Sequence, residues 1–171
     1  GKVDVLVANA GIGEFLPLEA ADEAHFSRVA DVNFKGVFFT VQKAVPYLNE
    51  GASVVLTSSA LNQMGWPGAS VYSATKAAVR SLARTFSAEL IGRGIRVNSL
   101  SPGPIETPIF DKLGLPQADL DGFKGQITEQ SPISRFGQPH EMAKAALFLA
   151  SGDSSYVVGA DLVADGGLSQ I

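Results

Sequence analysis

The sequence has 171 residues, 46% hydrophobic and 18% charged, with a formal net charge of −4 and no cysteine. That is enough chain to bury a sizeable core, and it excludes disordered and fibrous classes, disulfides and thiolate chemistry. Scattered Lys and Arg without a basic stripe argue against nucleic acid, and no apolar run is long enough to expect a membrane partner.

Val3 to Ala8 is a short β-branched run closed by Asn9, Ala10 and Gly11, the pattern of a strand buried on both faces. Gly11 and Gly13 give a flexible loop. From Asp22, a candidate N-cap, apolar residues recur at three- and four-residue steps: Phe26, Val29, Val32 or Asn33, Val37, Val41, Val45 and Leu48. Asn49 and Gly51 are the expected stop. Asn33 lies on the apolar side of this helix, where Asn is a poor helix former. It predicts a kink or a buried polar role, with a satisfied core amide as the alternative.

Ser53 to Ser58 is a second strand of buried type, followed by a loop over 62–69. A long helix is predicted over 70–90, with Val79, Leu82, Phe86 and Leu90 as its apolar stripe. Ser73, Ala77, Ser81, Thr85 and Ala88 form a stripe of small residues, which fits either close packing on the helix's own sheet or a dimer seam. Ile95 to Leu100 is a third strand, ended by Ser101, Pro102, Gly103 and Pro104. Residues 106–136 are punctuated by Gly and Pro, with Phe110, Leu113, Leu115, Leu120, Phe123 and Ile127 interspersed, and predict two short helices in a covering segment. Pro139 to Ala150 is a helix, and Gly159 to Ala164 a last strand before Asp165, Gly166 and Gly167. The order implies a parallel α/β sheet with right-handed crossovers. Ligands of such sheets bind beyond the carboxyl ends of the strands, where Asn9, Ser58, Ser59, Pro102 and Gly103 fall.

Within that edge the stretch from Leu56 to Lys76 carries chemistry. Ser59 follows a strand, and Tyr72 comes thirteen residues later, with Lys76 four residues beyond it on the same helix face. A phenol is a weak base near neutral pH, and a neighbouring ammonium would lower its pKa toward the working range. Ser59 would hold the oxygen of a carbonyl or alcohol beside the phenol, and Asn33 would hold a water connecting Lys76 to solvent. His25 and His140 are far apart and without carboxylates at ligand spacing, so no metal is expected and both are assigned packing or surface roles. A serine hydrolase fails for want of G-x-S-x-G and a placed histidine.

A lone Y-x-x-x-K means little, but the combination resembles the short-chain dehydrogenase/reductase family along the whole chain. The matching segments are Asn9-Ala10-Gly11, the run over 31–36 around Asn33, Ser59, Tyr72 with Lys76, Arg96-Val97-Asn98, the run over 102–107 and Asp165-Gly166-Gly167. Ala8 stands where the family has a further Asn. The resemblance implies Asn33, Ser59, Tyr72 and Lys76 as catalytic residues. It implies NADP or NAD as cofactor, bound by Asn9, Ala10, Gly11, Tyr72, Lys76, Pro102, Gly103, Ile105 and Thr107, with Arg96-Val97-Asn98 and the run from Pro102 beside the nicotinamide. Ser59, Leu61, Met64, Trp66, Pro104 and Phe110 are the expected pocket for a small alcohol or carbonyl substrate, under a cover formed by 104–137.

The family's glycine-rich phosphate turn lies upstream of the equivalent of Val3 and has no counterpart here: Gly11-Ile12-Gly13 runs into Glu14, Phe15, Leu16 and Pro17 with no third glycine opening a helix. The expectation is therefore a single domain over 1–171 forming the carboxyl-terminal part of a doubly wound Rossmann-like sheet, its fourth to seventh strands. Val3–Ala8 is then expected as an open edge with one face uncovered, and the 171 residues as inactive alone. A cytoplasmic homodimer or homotetramer is expected, and a non-catalytic oligomerisation or binding module derived from the family is the alternative.

Overall fold

In β1 (Val3–Ala8), β2 (Leu48–Thr57), β3 (Arg96–Pro102) and β4 (Asp161–Ala164), the computed structural model has four parallel strands side by side in sequence order. It describes residues 1–108 and 117–171. Alternation along β2 assigns the two faces. Val54 and Leu56 pack with Val79, Ala83, Phe86 and Leu90 of α3 (Ser70–Leu90) and with Val37 and Val41 of α2 (Gly36–Ala44). Val55 packs on the other face with Leu149 of α5 (Pro139–Ala150). Helices therefore cover both faces, as parallel sheets require.

β1 is an edge of this sheet. Its Val5 and Val7 pair with Ser53 and Val55 and share their face, yet they are 43% and 46% exposed, because α5 does not reach across to them. The expected apolar edge with one uncovered face is what the structure shows.

The first long helical stretch is interrupted as Asn33 foretold. α1 (Glu23–Ala30) starts at Asp22, whose side chain accepts the His25 N–H, and runs into a π turn at Asp31–Lys35 before α2. His25, Val29, Asn33, Val37 and Val41 are all buried, each four residues after the last. In an α-helix each such step drifts by about 40°. The wider turn, closed by the Gly36 N–H on the Asp31 carbonyl, takes up that drift and keeps Asn33 on the core side. Phe26 and Val32 consequently face outward, contrary to the periodicity that grouped them with the core.

Several boundaries differ from expectation. α2 gives way at Ala44 to a 3₁₀ turn containing Pro46, and Leu48 is already extended, so β2 begins five residues before Ser53 and the stop at Asn49 and Gly51 is not used. β4 starts at Asp161 because Gly159 is in a left-handed turn (φ 67°). In the covering segment one helix, α4 (Gln117–Gln130), is described; Phe110, Leu113 and Leu115 lie outside the described residues. α3 matches its expected span. Its small-residue stripe faces away from the sheet, with Ser81, Thr85 and Ala88 exposed, so this stripe does not pack α3 on its own sheet. Among the described residues no helix is long and apolar enough to cross a membrane.

Candidate active site

Ser59, Tyr72 and Lys76 meet where β2 ends and α3 begins. Ser59 caps a short 3₁₀ turn, Ala60–Asn62, and its Oγ accepts the Leu61 N–H at 3.2 Å. The Ser59 hydroxyl lies beside the Tyr72 phenol, near enough to pull its pKa down. A hydroxyl that already accepts keeps its own proton free, so Ser59 can donate to the phenol oxygen. Its neighbour Ser58 turns inward and donates to the Lys76 carbonyl at 2.8 Å, which tethers α3 to the strand end. Of the two serines at this strand end, Ser58 is thus spent on the helix backbone, and Ser59 is the one beside Tyr72.

Lys76 is 3% exposed, with Nζ donating to the Thr57 carbonyl at 3.0 Å and lying 5.6 Å from the centre of the Tyr72 ring. Burial pushes the Tyr72 phenol above its ordinary 10.0, and the Ser59 hydrogen bond pulls it partly back. Burial also brings the Lys76 ammonium from 10.5 down to about 8. The structure places Lys76 where the expected lowering of the tyrosine would act, but burial is the larger influence on both groups. The ammonium is held on a backbone carbonyl over the ring, and desolvation of both groups dominates.

Asn33, fully buried, spends its carboxamide on the glycine loop. Oδ1 accepts the Ile12 N–H at 2.8 Å, and Nδ2 donates to the Ile12 carbonyl at 2.9 Å and to Thr75 Oγ1 at 3.5 Å. Its side chain is therefore a clamp on Ile12, with one lone pair of Oδ1 left for the water expected there. The clamp draws Gly11 close: a Cβ there would stand 3.3 Å from Asn33 Oδ1 and 3.4 Å from Lys76 Nζ. Asn9 joins the same edge by accepting the Thr57 hydroxyl at 2.9 Å, and Ala10 is exposed between them.

Beyond β3, Gly103 packs so tightly on the end of β4 that a Cβ would lie 2.6 Å from Asp165 Cα. Ile105 bridges to Gly137 through the Pro104 carbonyl and the Glu106 N–H, so its own N–H and C=O face the opposite side. Thr107 Oγ1 reaches back to the Ile105 carbonyl at 3.4 Å. Arg96 and Asn98, expected near the nicotinamide with this run, belong elsewhere. At the amino half of β3 the Arg96 guanidinium donates to the carbonyls of Leu149, Ser151, Ser154 and Val157, and the Asn98 side chain bonds Val157 and Ala160. Both fasten the α5–β4 connection.

Of the expected pocket residues, Leu61, Met64 and Trp66 are half-buried on the turn and loop after Ser59. Pro104 lines a cavity of about 210 Å³ with Ile105, Arg135, Met142 and Asp165. Phe110 lies outside the described residues. Sequence reading missed Phe15, whose ring centre is 5.3 Å from that of Tyr72 and which is 41% exposed. Its neighbour Leu16 donates to the Gly68 carbonyl at 3.0 Å, joining this loop to the one that carries Met64 and Trp66. The available signal was position, since Phe15 follows a strand's carboxyl end. His25 is a packing residue, with Nε2 3.3 Å from the Glu14 carbonyl, and His140 is exposed. Among the described residues no cluster could hold a metal ion.

A family model described as enoyl-(acyl carrier protein) reductase matches residues 1–169. The 3-oxoacyl-[acyl-carrier-protein] reductase FabG of Thermotoga maritima is 44% identical over 170 residues, covering 98% of this chain and 67% of that protein. The chain belongs to the short-chain dehydrogenase/reductase family. Two solved members carry the fold match. Aldohexose dehydrogenase of Thermoplasma acidophilum superposes with a TM-score of 0.91 at 31% identity, over 99% of this chain and 69% of that one. Gluconate 5-dehydrogenase of Burkholderia cenocepacia, solved with NADP and tartrate, gives 0.90 at 33% identity over 100% and 66%. The chain thus spans about two thirds of the length of the short-chain dehydrogenase/reductases it matches.

Proposed function

We propose that this chain is the catalytic part of an NAD(P)-dependent oxidoreductase that interconverts an alcohol and a carbonyl, with Tyr72 as the acid/base. The observation that carries the reading is the meeting of Ser59 and Tyr72 at the carboxyl ends of parallel strands, with the Lys76 ammonium 5.6 Å from the centre of the same ring. The residues also fit a nicotinamide ribose. Lys76 Nζ has three hydrogens and, among the described residues, a single acceptor, while Gly11 leaves open the space a Cβ would take beside it. When bound, the dinucleotide supplies or takes up the hydride. In reduction Tyr72 gives its proton to the carbonyl oxygen, and in oxidation it takes one from the alcohol. Ser59 donates to the same oxygen and holds it at the phenol. Asn33 fixes the loop of Asn9, Ala10 and Gly11 against Lys76, and the backbone and side chains of Pro102, Gly103, Ile105 and Thr107 form the other wall.

The substrate is a small alcohol or carbonyl compound with an apolar portion. Half-buried Leu61, Met64 and Trp66 support this, as does the exposed Phe15 ring beside Tyr72. The cover is the segment expected over 104–137, within a single domain; among its described residues Lys124 ties α4 to Glu106 at 3.1 Å, and Leu120 and Ile127 of α4 are buried. A homodimer or homotetramer fits the outward Phe26, Phe34 and Phe39 and the exposed small-residue face of α3, and a cytoplasmic location goes with the same reading. The 171 residues alone have little or no activity in this reading.

The test is Tyr72→Phe in the full-length protein. NADPH and NADH absorbance is followed with acetoacetyl-coenzyme A, gluconate and glucose, and cofactor binding by calorimetry. Turnover should fall by about 10²–10⁴-fold, the usual contribution of a general acid or base, with cofactor affinity nearly unchanged. Retained turnover overturns the tyrosine assignment. Failure to bind either nucleotide would favour the non-catalytic module.

A further inference from the structure

Behind Ser59 the described residues contain a buried polar cluster that the proposed chemistry does not use. The Asp161 carboxylate, at the start of β4, accepts Ser99 Oγ at 2.7 Å and Ser101 Oγ at 2.6 Å. Asn62, 7% exposed, directs Nδ2 to Asp161 Oδ2 at 3.2 Å, Ser101 Oγ at 2.8 Å and Ser58 Oγ at 3.3 Å. Asn62 is also the last residue of the 3₁₀ turn capped by Ser59, and its N–H donates to the Ser59 carbonyl at 2.9 Å.

We propose that Asn62 and Asp161 are positioning residues that fix the direction of the Ser59 hydroxyl. Resting on the Tyr72 reading above, the inference adds what aims its hydrogen-bond donor. The direction of Ser59 depends on Leu61 N–H occupying one lone pair of Oγ, and Leu61 sits in a turn only three residues long. Such a turn has few bonds of its own and does not hold its shape unaided. Asn62 supplies the anchor. Its amide reaches across the ends of β3 and β4 to a carboxylate held by two serine hydroxyls, and through Ser58 to the Lys76 carbonyl. One hydrogen-bonded group thus spans two strand ends, the serine turn and the first turns of α3. Asp161 needs its charge for this, because a carboxylate accepts from Ser99, Ser101 and Asn62 together and donates to none. With the amide removed, the turn loses its hydrogen bonds to Ser101 and Asp161, and the Ser59 hydroxyl beside Tyr72 is no longer held in one direction.

The test reads Tyr72 directly. In the cofactor-free protein the tyrosinate ultraviolet signal of Tyr72 is isolated by subtracting the Tyr72→Phe titration, after pH jumps faster than alkaline unfolding. Ser59 lowers the Tyr72 titration point, so Ser59→Ala should move it upward. Asn62→Ala and Asp161→Asn should move it in the same direction by a comparable amount, and neither should add to Ser59→Ala in the double variants. The exchange variant Asn62→Asp with Asp161→Asn, which restores an amide–carboxylate pair, should bring it back toward the starting value. Circular dichroism at neutral pH checks the fold, and the conservative Asp161→Asn carries the test if Asn62→Ala does not fold. A titration point moved by Ser59→Ala but by neither Asn62→Ala nor Asp161→Asn overturns the inference alone. Effects that add to Ser59→Ala also overturn it. An unmoved titration point in Ser59→Ala overturns the Ser59–Tyr72 reading and this inference with it.

Discussion

Replacing Lys76 by methionine should stabilise the cofactor-free protein while abolishing its chemistry. Burial lowers the Lys76 pKa from 10.5 to about 8. At about 1.4 kcal/mol per unit, carrying the charge in the fold costs roughly 3 kcal/mol wherever both folded and unfolded states are protonated. Methionine keeps the length of the side chain and removes the charge. It forfeits the hydrogen bond to the Thr57 carbonyl, worth about 1 kcal/mol. The net gain near neutral pH is about 2 kcal/mol, or about 4–8 °C in Tm for a domain of this size. The sign of the pH dependence follows from the direction of the shift. Between about pH 8 and 10.5 the unfolded chain binds more protons at Lys76 than the folded one, so wild-type stability rises with pH. The advantage of Lys76→Met is therefore full below about pH 8 and fades toward pH 10.5. Urea denaturation followed by Trp66 fluorescence, run near neutral pH and again near pH 9.5, measures it. A variant less stable than wild type near neutral pH would refute the reasoning, as would a gain of equal size at both pH values.

Arg96→Ala should be among the most destabilising single changes, by about 4 kcal/mol, because it strands buried carbonyls of Leu149, Ser151 and Ser154 together. Urea denaturation gives the size, and amide exchange should speed first at the end of α5. Gly103→Ala should cost about 1–3 kcal/mol, since its Cβ would overlap Asp165 backbone that the sheet holds in place. In the same thermal denaturation series Gly65→Ala, with no heavy atom in reach of its Cβ, should be close to neutral.

Much of the fold was legible because β1 and the second half of β2 are short, largely apolar runs ended by turn residues, and α3 is an uninterrupted period. The carboxyl ends of those strands, and hence the place of Ser59, Tyr72 and Lys76, followed from their order. Errors arose where one residue serves two patterns. Leu48 fits the helical period of Val37 and Val41, yet Pro46 has already broken that helix and Leu48 is the first residue of β2. Phe26 fits the same period, but the π turn rotates the core stripe onto His25, Val29 and Asn33. Arg96 shares a strand with Pro102, and the family pattern places them together; the strand's own length sets them at opposite ends. Asn62 and Asp161 gave no signal at all. An Asn among Gly and Pro reads as turn chemistry, and an Asp before a short strand reads as solvated. Only the fold brings them within hydrogen-bond distance across 99 residues. Burial was out of reach for a similar reason, since spacing puts Lys76 near Tyr72 but does not show how deeply both lie.

α3 is held in two different ways, and this is why the site can be probed without unfolding the chain. From Val79 to Leu90 it packs on the sheet through apolar side chains, each worth about 1.5–3 kcal/mol on burial. Its first two turns, which carry Tyr72 and Lys76, are fixed instead by directional contacts: Ser58 on the Lys76 carbonyl, Lys76 on the Thr57 carbonyl and Asn33 on Thr75. Hydrogen bonds of this kind contribute only about 1 kcal/mol each, yet they set orientation, which apolar contact does not. Loss of one of them should change the direction of a hydroxyl or an ammonium before it changes whether the helix is docked. Substitutions at Asn33, Ser58 and Asn62 are therefore expected to alter proton transfer at Tyr72 more than they alter Tm, and substitutions at Val79 and Phe86 to do the reverse.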